Sequence, residues 1–168
     1  MPKLKQALLY DINRGNHSIG AHVRDAACYV VWSFARSFMK NIMKPHVESL
    51  STHLCILFLF DREVNCRRAA SAAFQECVGR QRNFPHGIAI LTEADYFTLS
   101  NRTNAYLNVS CFIAQFDEYY EALINHLVNT KLQHWEEEIR KLSGKALSVL
   151  SIFNPQLVID KYLPVLYE

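Results

Sequence analysis

Glycine and proline are scarce, at five each in 168 residues, which suits helices joined by short connections. Charge of one sign is lacking too: 18 lysines and arginines against 16 acidic residues leave a net charge of +2. That balance supplies no electrostatic footprint for nucleic acid. Long hydrophobic runs are missing: the longest, Leu54 to Phe60, has seven residues. A membrane span needs about twenty, so this stretch reads as a buried helix. Cysteine appears five times (Cys28, Cys55, Cys66, Cys77, Cys111) without a single CxxC pair. Neither a zinc site nor a thioredoxin-like motif is indicated, and buried, reduced thiols in a cytosolic protein are the expectation. Nothing at the amino terminus resembles a signal peptide, so the sequons at Asn16, Asn101 and Asn108 read as incidental. Phosphate-binding, dinucleotide-binding, zinc-protease and nucleophile-elbow motifs are all missing as well. No catalytic residue, cofactor or metal is expected.

What is present is a hydrophobic content of 50%, enough for a folded core, and a repeat. Arg24, Arg67, Arg102 and Arg140 each open a helical stripe, with buried positions three, seven and ten residues further on. The triplets are Ala27, Val31, Phe34; Ala70, Phe74, Cys77; Ala105, Val109, Phe112; and Ser143, Leu147, Leu150. Those offsets share one side of a 3.6-residue helix. The small first residue admits a neighbouring helix, as do the alanine pairs Ala26–Ala27 and Ala69–Ala70. Asn104 and Asn108 weaken the third copy. Spacings of 43, 35 and 38 between the arginines belong to two-helix solenoid repeats. The chain therefore reads as all-α, one solenoid segment over residues 1–168 with about four to five helix pairs. A positive charge early in a helix gains nothing from that helix's dipole, so hydrogen bonds to the preceding repeat are the expected reason for each arginine.

The expected layout is a first helix over 3–13 and a polar loop, then a helix over 19–38 capped by Ser18. Pro45 opens a helix ending at Phe60, and Asp61 caps the next, over 62–80, with Gly79 as its stop signal. A short helix is expected over 93–99, then helices at 102–115, 117–129, 135–152 and from Pro155 to the end. Asp117 and Glu118 suit a helix start. Neither end carries the polar outer face of a capping repeat, so the chain reads as a piece of a longer array.

The basic stretch Gly79–Gly87 breaks the rhythm with Pro85 and two of the glycines, and reads as an exposed loop. Loops on rigid scaffolds carry contacts, so Arg80, Arg82, Phe84 and His86 are the expected partner-binding residues. Glu136, Glu137 and Glu138 point to different helix faces and read as a solvated cluster. The seven histidines read as surface residues, and His126 and His134 have no cysteines near enough for a metal site.

Several strings are recognisable: Leu9–Gly15, Val23–Val30, Trp32–Arg36, the long segment Asp61–Glu76, Val78–Gln81, Phe84–Ile88, Ala94–Phe97 and Asn101-Arg102. Together they resemble the tubulin-specific chaperone D family, also called tubulin-folding cofactor D, across essentially the whole chain. The resemblance implies a right-handed α-solenoid of HEAT/armadillo repeats acting after the cytosolic chaperonin. It implies capture of β-tubulin, partnership with cofactors E and C and an Arf-like small GTPase, and stimulation of GTP hydrolysis by tubulin. A place in the cytoplasm and on the microtubule cytoskeleton follows from the same resemblance. Family members are several times longer. The competing readings are a generic HEAT/armadillo adaptor without tubulin activity and a base-repair solenoid. The latter needs a basic groove that a charge of +2 does not supply.

Overall fold

A computed structural model of the chain describes residues 1–167. Helix α1 (Pro2–Leu8) is followed by a two-stranded antiparallel hairpin, β1 (Ile12–Asn13) and β2 (Ser18–Ile19). Helices α2 (Ala21–Ser37), α3 (Lys40–Met43), α4 (Val47–Phe60), α5 (Val64–Gln81) and α6 (Gly87–Glu93) come next. A helical stretch then runs from α7 (Arg102–Asn104) through a π turn at Ala105–Val109 into α8 (Ser110–Ile113). Helix α9 (Asp117–His126) continues as a π turn over Leu127–Lys131, and α10 (Glu137–Leu150) returns beside it. The last element is α11 (Pro155–Leu157), a π turn at Val158–Tyr162 and α12 (Leu163–Leu166). The final residue, which the expected last helix would have included, lies outside the described residues.

The arrangement is an α-solenoid. Successive helices pair as hairpins, α1 with α2 and α4 with α5, while α1 stacks on α4 and α2 on α5. The α2–α5 seam is the most extensive helix contact in the molecule. Small residues open it: Ala27 and Val31 are buried on the α2 stripe and Ala70 and Cys77 on the α5 stripe, while Phe74 of the same stripe packs on Phe58 of α4. The second half of helix α4, Leu54 through Phe60, is apolar on all sides and buried, as a segment covered by neighbouring helices must be, while its first half carries Glu48, Thr52 and His53 toward solvent. The third repeat departs from the rhythm because α6 has only seven residues, and α9 packs directly on α4. The third triplet still buries Ala105 and Val109, with Phe112 half-covered, while Asn108 stays in solvent.

The arginines act as bolts. Arg24 donates through Nη1 to the Tyr10 carbonyl at 2.7 Å, just past the end of α1, and pairs through Nε with Asp61 at 2.6 Å. Arg67 donates to the Asp61 and Arg62 carbonyls at the end of α4 (3.0 and 3.1 Å). It also reaches forward to the Leu99 and Ser100 carbonyls at 2.8 and 3.0 Å. Arg140 donates to the His134 and Trp135 carbonyls, and Arg102 pairs with Glu136. In a helical hairpin the start of one helix lies beside the end of the one before it. Except at Arg102, which departs from the expectation and pairs forward with Glu136, the N-cap of α10, a cation that gains nothing from its own dipole thus sits against carbonyls just past the end of its predecessor. Uncharged bolts do the same: Tyr106 donates to the Phe60 carbonyl at 2.8 Å, Tyr120 to Leu150 at 3.1 Å and Gln81 to Ala35 at 3.0 Å.

Several local expectations are corrected. The first helix stops at Leu8, and Ser18 belongs to β2 rather than capping α2, whose N-cap is Gly20. Asp61 ends α4 and accepts from the Glu63 amide at 2.8 Å, while Glu63 itself is the N-cap of α5. Gly79 does not stop α5, which continues to Gln81 because the buried Gln81 amide is fixed on the end of α2. The short helix falls at Gly87–Glu93, not 93–99. There Asp95 turns the chain by accepting from the Phe97 and Thr98 amides. His134 is buried rather than on the surface, and His126 is stacked on Phe60. Glu136 is half-buried and bridges Arg62 and Arg102 at 3.0 and 2.8 Å. All five cysteines are free thiols, four of them buried, and burial pushes Cys66 and Cys77 up to about 12.

Candidate functional site

The connection from α5 to α6 is built from both ends. Helix α5 closes on Arg82, whose backbone is left-handed at φ 58°, and His86 repeats that conformation at φ 51°. These are the two non-glycine residues with positive φ among the described residues. Such geometry costs about 1–3 kcal/mol per residue and persists where surrounding contacts enforce it. Here they do. Phe84 is 6% exposed and packs edge-on against Phe74 at 5.4 Å. The Pro85 carbonyl accepts from the Tyr119 hydroxyl at 2.7 Å. The His86 ring lies flat on Phe116 at 3.9 Å, with Nε2 3.3 Å from Glu118. Gly87 is required by close approach, because a Cβ there would lie 2.6 Å from the Val78 side chain.

The four predicted contact residues therefore have different availability. Arg82 is exposed, and Arg80 is exposed but paired with Glu76 at 2.9 Å, an acid it shares with Arg36. His86 keeps one edge in solvent. Phe84 is committed to the core and serves as the loop's anchor, its ring unavailable to a partner. Beside the loop lies a groove of about 500 Å³ between Val78, Arg82 and the 79%-exposed Ile88.

Two further surfaces escaped the sequence reading. Between α2 and α5, Ala26, Ala69 and Ala72 floor a groove of about 490 Å³ walled by Tyr29 and Trp32, whose rings stack at 5.7 Å. One alanine of each pair thus faces this groove while Ala27 and Ala70 face the seam. Past α6, Tyr96 and Phe97 stand out of a tight turn at 55% and 78% exposure. The signal existed for Tyr29 and Trp32. They fall five and eight residues after Arg24, off the buried offsets, and an aromatic off the stripe faces outward. Among the described residues no three His, Cys, Asp or Glu side chains converge as metal ligands, and no helix is long and apolar enough to cross a membrane. The surfaces offer shape, aromatic area and isolated guanidinium groups, which are means of binding a partner.

Comparison with known proteins agrees in kind. Residues 1–88 match the family model described as "Tubulin-specific chaperone D-like, ARM repeats". The chain is 42% identical over 168 residues to Tubulin-specific chaperone D of Dictyostelium discoideum, covering 99% of this chain and 11% of that protein. It is 34% identical over 172 residues to Tubulin-folding cofactor D of Schizosaccharomyces pombe, covering 100% of this chain and 15% of that protein. The chain thus spans a small part of the length of these relatives. No solved structure matches it. The match covers more than half of the chain with an armadillo-repeat description and nearly all of it at the level of whole relatives. The chain belongs to the tubulin-specific chaperone D family of armadillo-repeat proteins.

Proposed function

We propose that this chain is a β-tubulin-binding scaffold segment of the post-chaperonin tubulin-folding pathway. The observation that carries the reading is 42% identity over 99% of the chain to a protein named as a tubulin-specific chaperone. In this reading residues 1–168 form one solenoid segment of a longer array, four to five helix pairs that hold part of a client surface. Hydrolysis of GTP belongs to tubulin, and the segment contributes to stimulating it only within an assembly containing cofactors E and C and an Arf-like small GTPase. It works in the cytoplasm, alongside the microtubule cytoskeleton, and carries no catalytic residue of its own.

The strained α5–α6 loop supports the placement of a contact surface there, because backbone strain held in place by Phe84, Tyr119 and Phe116 fixes Arg82 and His86 in one orientation. Arg80 and Arg82 then supply exposed positive charge to the client. The test is a pull-down of purified chain against β-tubulin freshly released from chaperonin, repeated with Arg80→Glu and Arg82→Glu together. The wild-type chain retains β-tubulin and the doubly reversed, correctly folded variant retains about tenfold less. A folded wild-type chain that retains none contradicts the reading, and equal retention by both removes the loop from the contact surface.

A further inference from the structure

The turn from Asp95 to Ser100 is stitched far more tightly than a connection requires. Asp95 accepts from the Phe97 and Thr98 amides at 2.8 and 2.7 Å. The Thr98 hydroxyl donates to Glu93 at 2.7 Å, the Ser100 hydroxyl to Tyr96 at 2.8 Å, and the Asn104 amide to Thr98 at 3.0 Å. Helix α5 clamps the turn from behind, through Ser71 on the Ala94 carbonyl and Arg67 on the Leu99 and Ser100 carbonyls. Leu99 is fully buried. What this rigid frame presents to solvent is two aromatic rings, Tyr96 and Phe97, a contact surface already ordered before any partner arrives.

Arg68 lies alongside. Its guanidinium is 3.9 Å from the centre of the Tyr96 ring, and one Nη2 hydrogen goes to the Ser100 hydroxyl at 2.7 Å. Its Nε is buried without a hydrogen-bond partner, and among the described residues no carboxylate lies within ion-pair distance of it. The surplus is shared by its neighbours. Arg67 is satisfied by carbonyls alone, and its proton affinity is lowered by burial first and then by repulsion from Arg102 and Arg68. Arg102 is the member of this trio that has an acidic partner, Glu136. Asp95 lines the same groove, accepts both turn amides through the single oxygen Oδ1, and makes no ion pair with Arg68. The groove, about 380 Å³, has Ala72 and Gln75 on its α5 side and Leu91 and Phe97 opposite.

We propose that this groove docks an acidic peptide segment of a partner protein, with Arg68 receiving a carboxylate and Tyr96 and Phe97 packing against the adjoining apolar side chain. A guanidinium fixed by stacking and one hydrogen bond loses little freedom when it binds a carboxylate, and arginine and aromatic residues dominate binding energy at such sites. Arg68 is the one guanidinium lining the groove, and beside Leu91, Tyr96 and Phe97 it fits a single peptide carboxylate with an adjoining apolar side chain. A nucleic-acid backbone needs a row of cations that the surrounding surface lacks.

The test is fluorescence anisotropy with a fluorescein-labelled synthetic peptide rich in glutamate around one phenylalanine, against its glutamine counterpart. The wild-type chain binds the glutamate peptide about tenfold more tightly than the glutamine one, an advantage that shrinks as salt is added. Phe97→Ser and Arg68→Gln each weaken that binding about tenfold. Phe97 is exposed, so its variant keeps the wild-type melting curve and remains decisive even where Arg68→Gln perturbs the turn. Binding neither peptide, binding both alike, or indifference to Phe97→Ser overturns the proposal. The assay contains no tubulin, so its failure leaves the tubulin reading standing, and failure of that reading leaves the groove's preference intact.

Discussion

Asp61 stands where three pieces of chain meet: the end of α4, the start of α5 and the guanidinium of Arg24 from α2. Both side chains of the Arg24–Asp61 pair are 5% exposed. Breaking a buried pair from one side costs about 3–5 kcal/mol where the other charge is stranded, and Asp11, 3.3 Å from Arg24, keeps this case at the lower end. Asp61→Ala is therefore expected to lower the urea midpoint by a corresponding amount, without a change in helical content at zero denaturant. A second residue-scale effect concerns histidine. Burial depresses His126 well below its ordinary value, with repulsion from Lys131 and His53 adding to it, and burial also lowers His53 and His134. The unfolded chain titrates these groups near about 6.5. Below that pH, and down to the folded values, the unfolded state binds more protons. The stabilisation is thus complete above about pH 6.5 and is lost as pH falls. The melting temperature should drop between about pH 7.5 and about pH 5.5, and His126→Phe, which keeps a ring against Phe60, should flatten the drop. None of this was legible beforehand. Asp61 reads as a helix cap in the sequence because its partner is 37 residues away, and a histidine on a polar-looking helix gives no sign of the ring it stacks on.

At the scale of elements, the stripes opened by the four arginines predicted the seams well, because periodicity of 3.6 is a local property and burial follows from it. The contrast between two alanines of α5 checks this directly. Ala70 is fully buried in the α2–α5 seam, whereas Ala72 is exposed on the groove. Ala70→Glu buries an unpaired charge and should cost about 4 kcal/mol or more, measured by chemical denaturation, while Ala72→Glu should stay within about 0.5 kcal/mol of wild type. Equal effects would mean that the seam lies elsewhere. Element boundaries were read less well, and for a physical reason. Ser18, Asp61 and Gly79 have the right chemistry for caps, but the hairpin at Ile12–Ile19, the Arg24 ion pair and the Gln81 bond to α2 override local preference through contacts distant in sequence. The same limit applies to the α5–α6 loop. Its irregularity was readable from Pro85 and the glycines. That Phe84 turns inward while Ile88, Tyr96 and Phe97 turn outward depends on Phe74 and the Asp95 turn, neither of which leaves a mark in the loop's own residues.

The whole molecule is a piece of solenoid bolted across its hairpins by arginine and tyrosine, with its irregular loops held rigid on one side of α5. Such a design gives extended surface rather than an enclosed site, which suits it to binding. In the proposed reading β-tubulin is the client and the exposed loops are its contact. The measurement that tests this most directly is amide hydrogen exchange of the chain with and without β-tubulin released from chaperonin. The account predicts slowed exchange confined to the exposed connections, Arg82–Ile88 foremost, with the buried Leu54–Phe60 half of α4 unchanged because it is already protected. Exchange that stays the same at every amide of the folded chain in the presence of β-tubulin would contradict it.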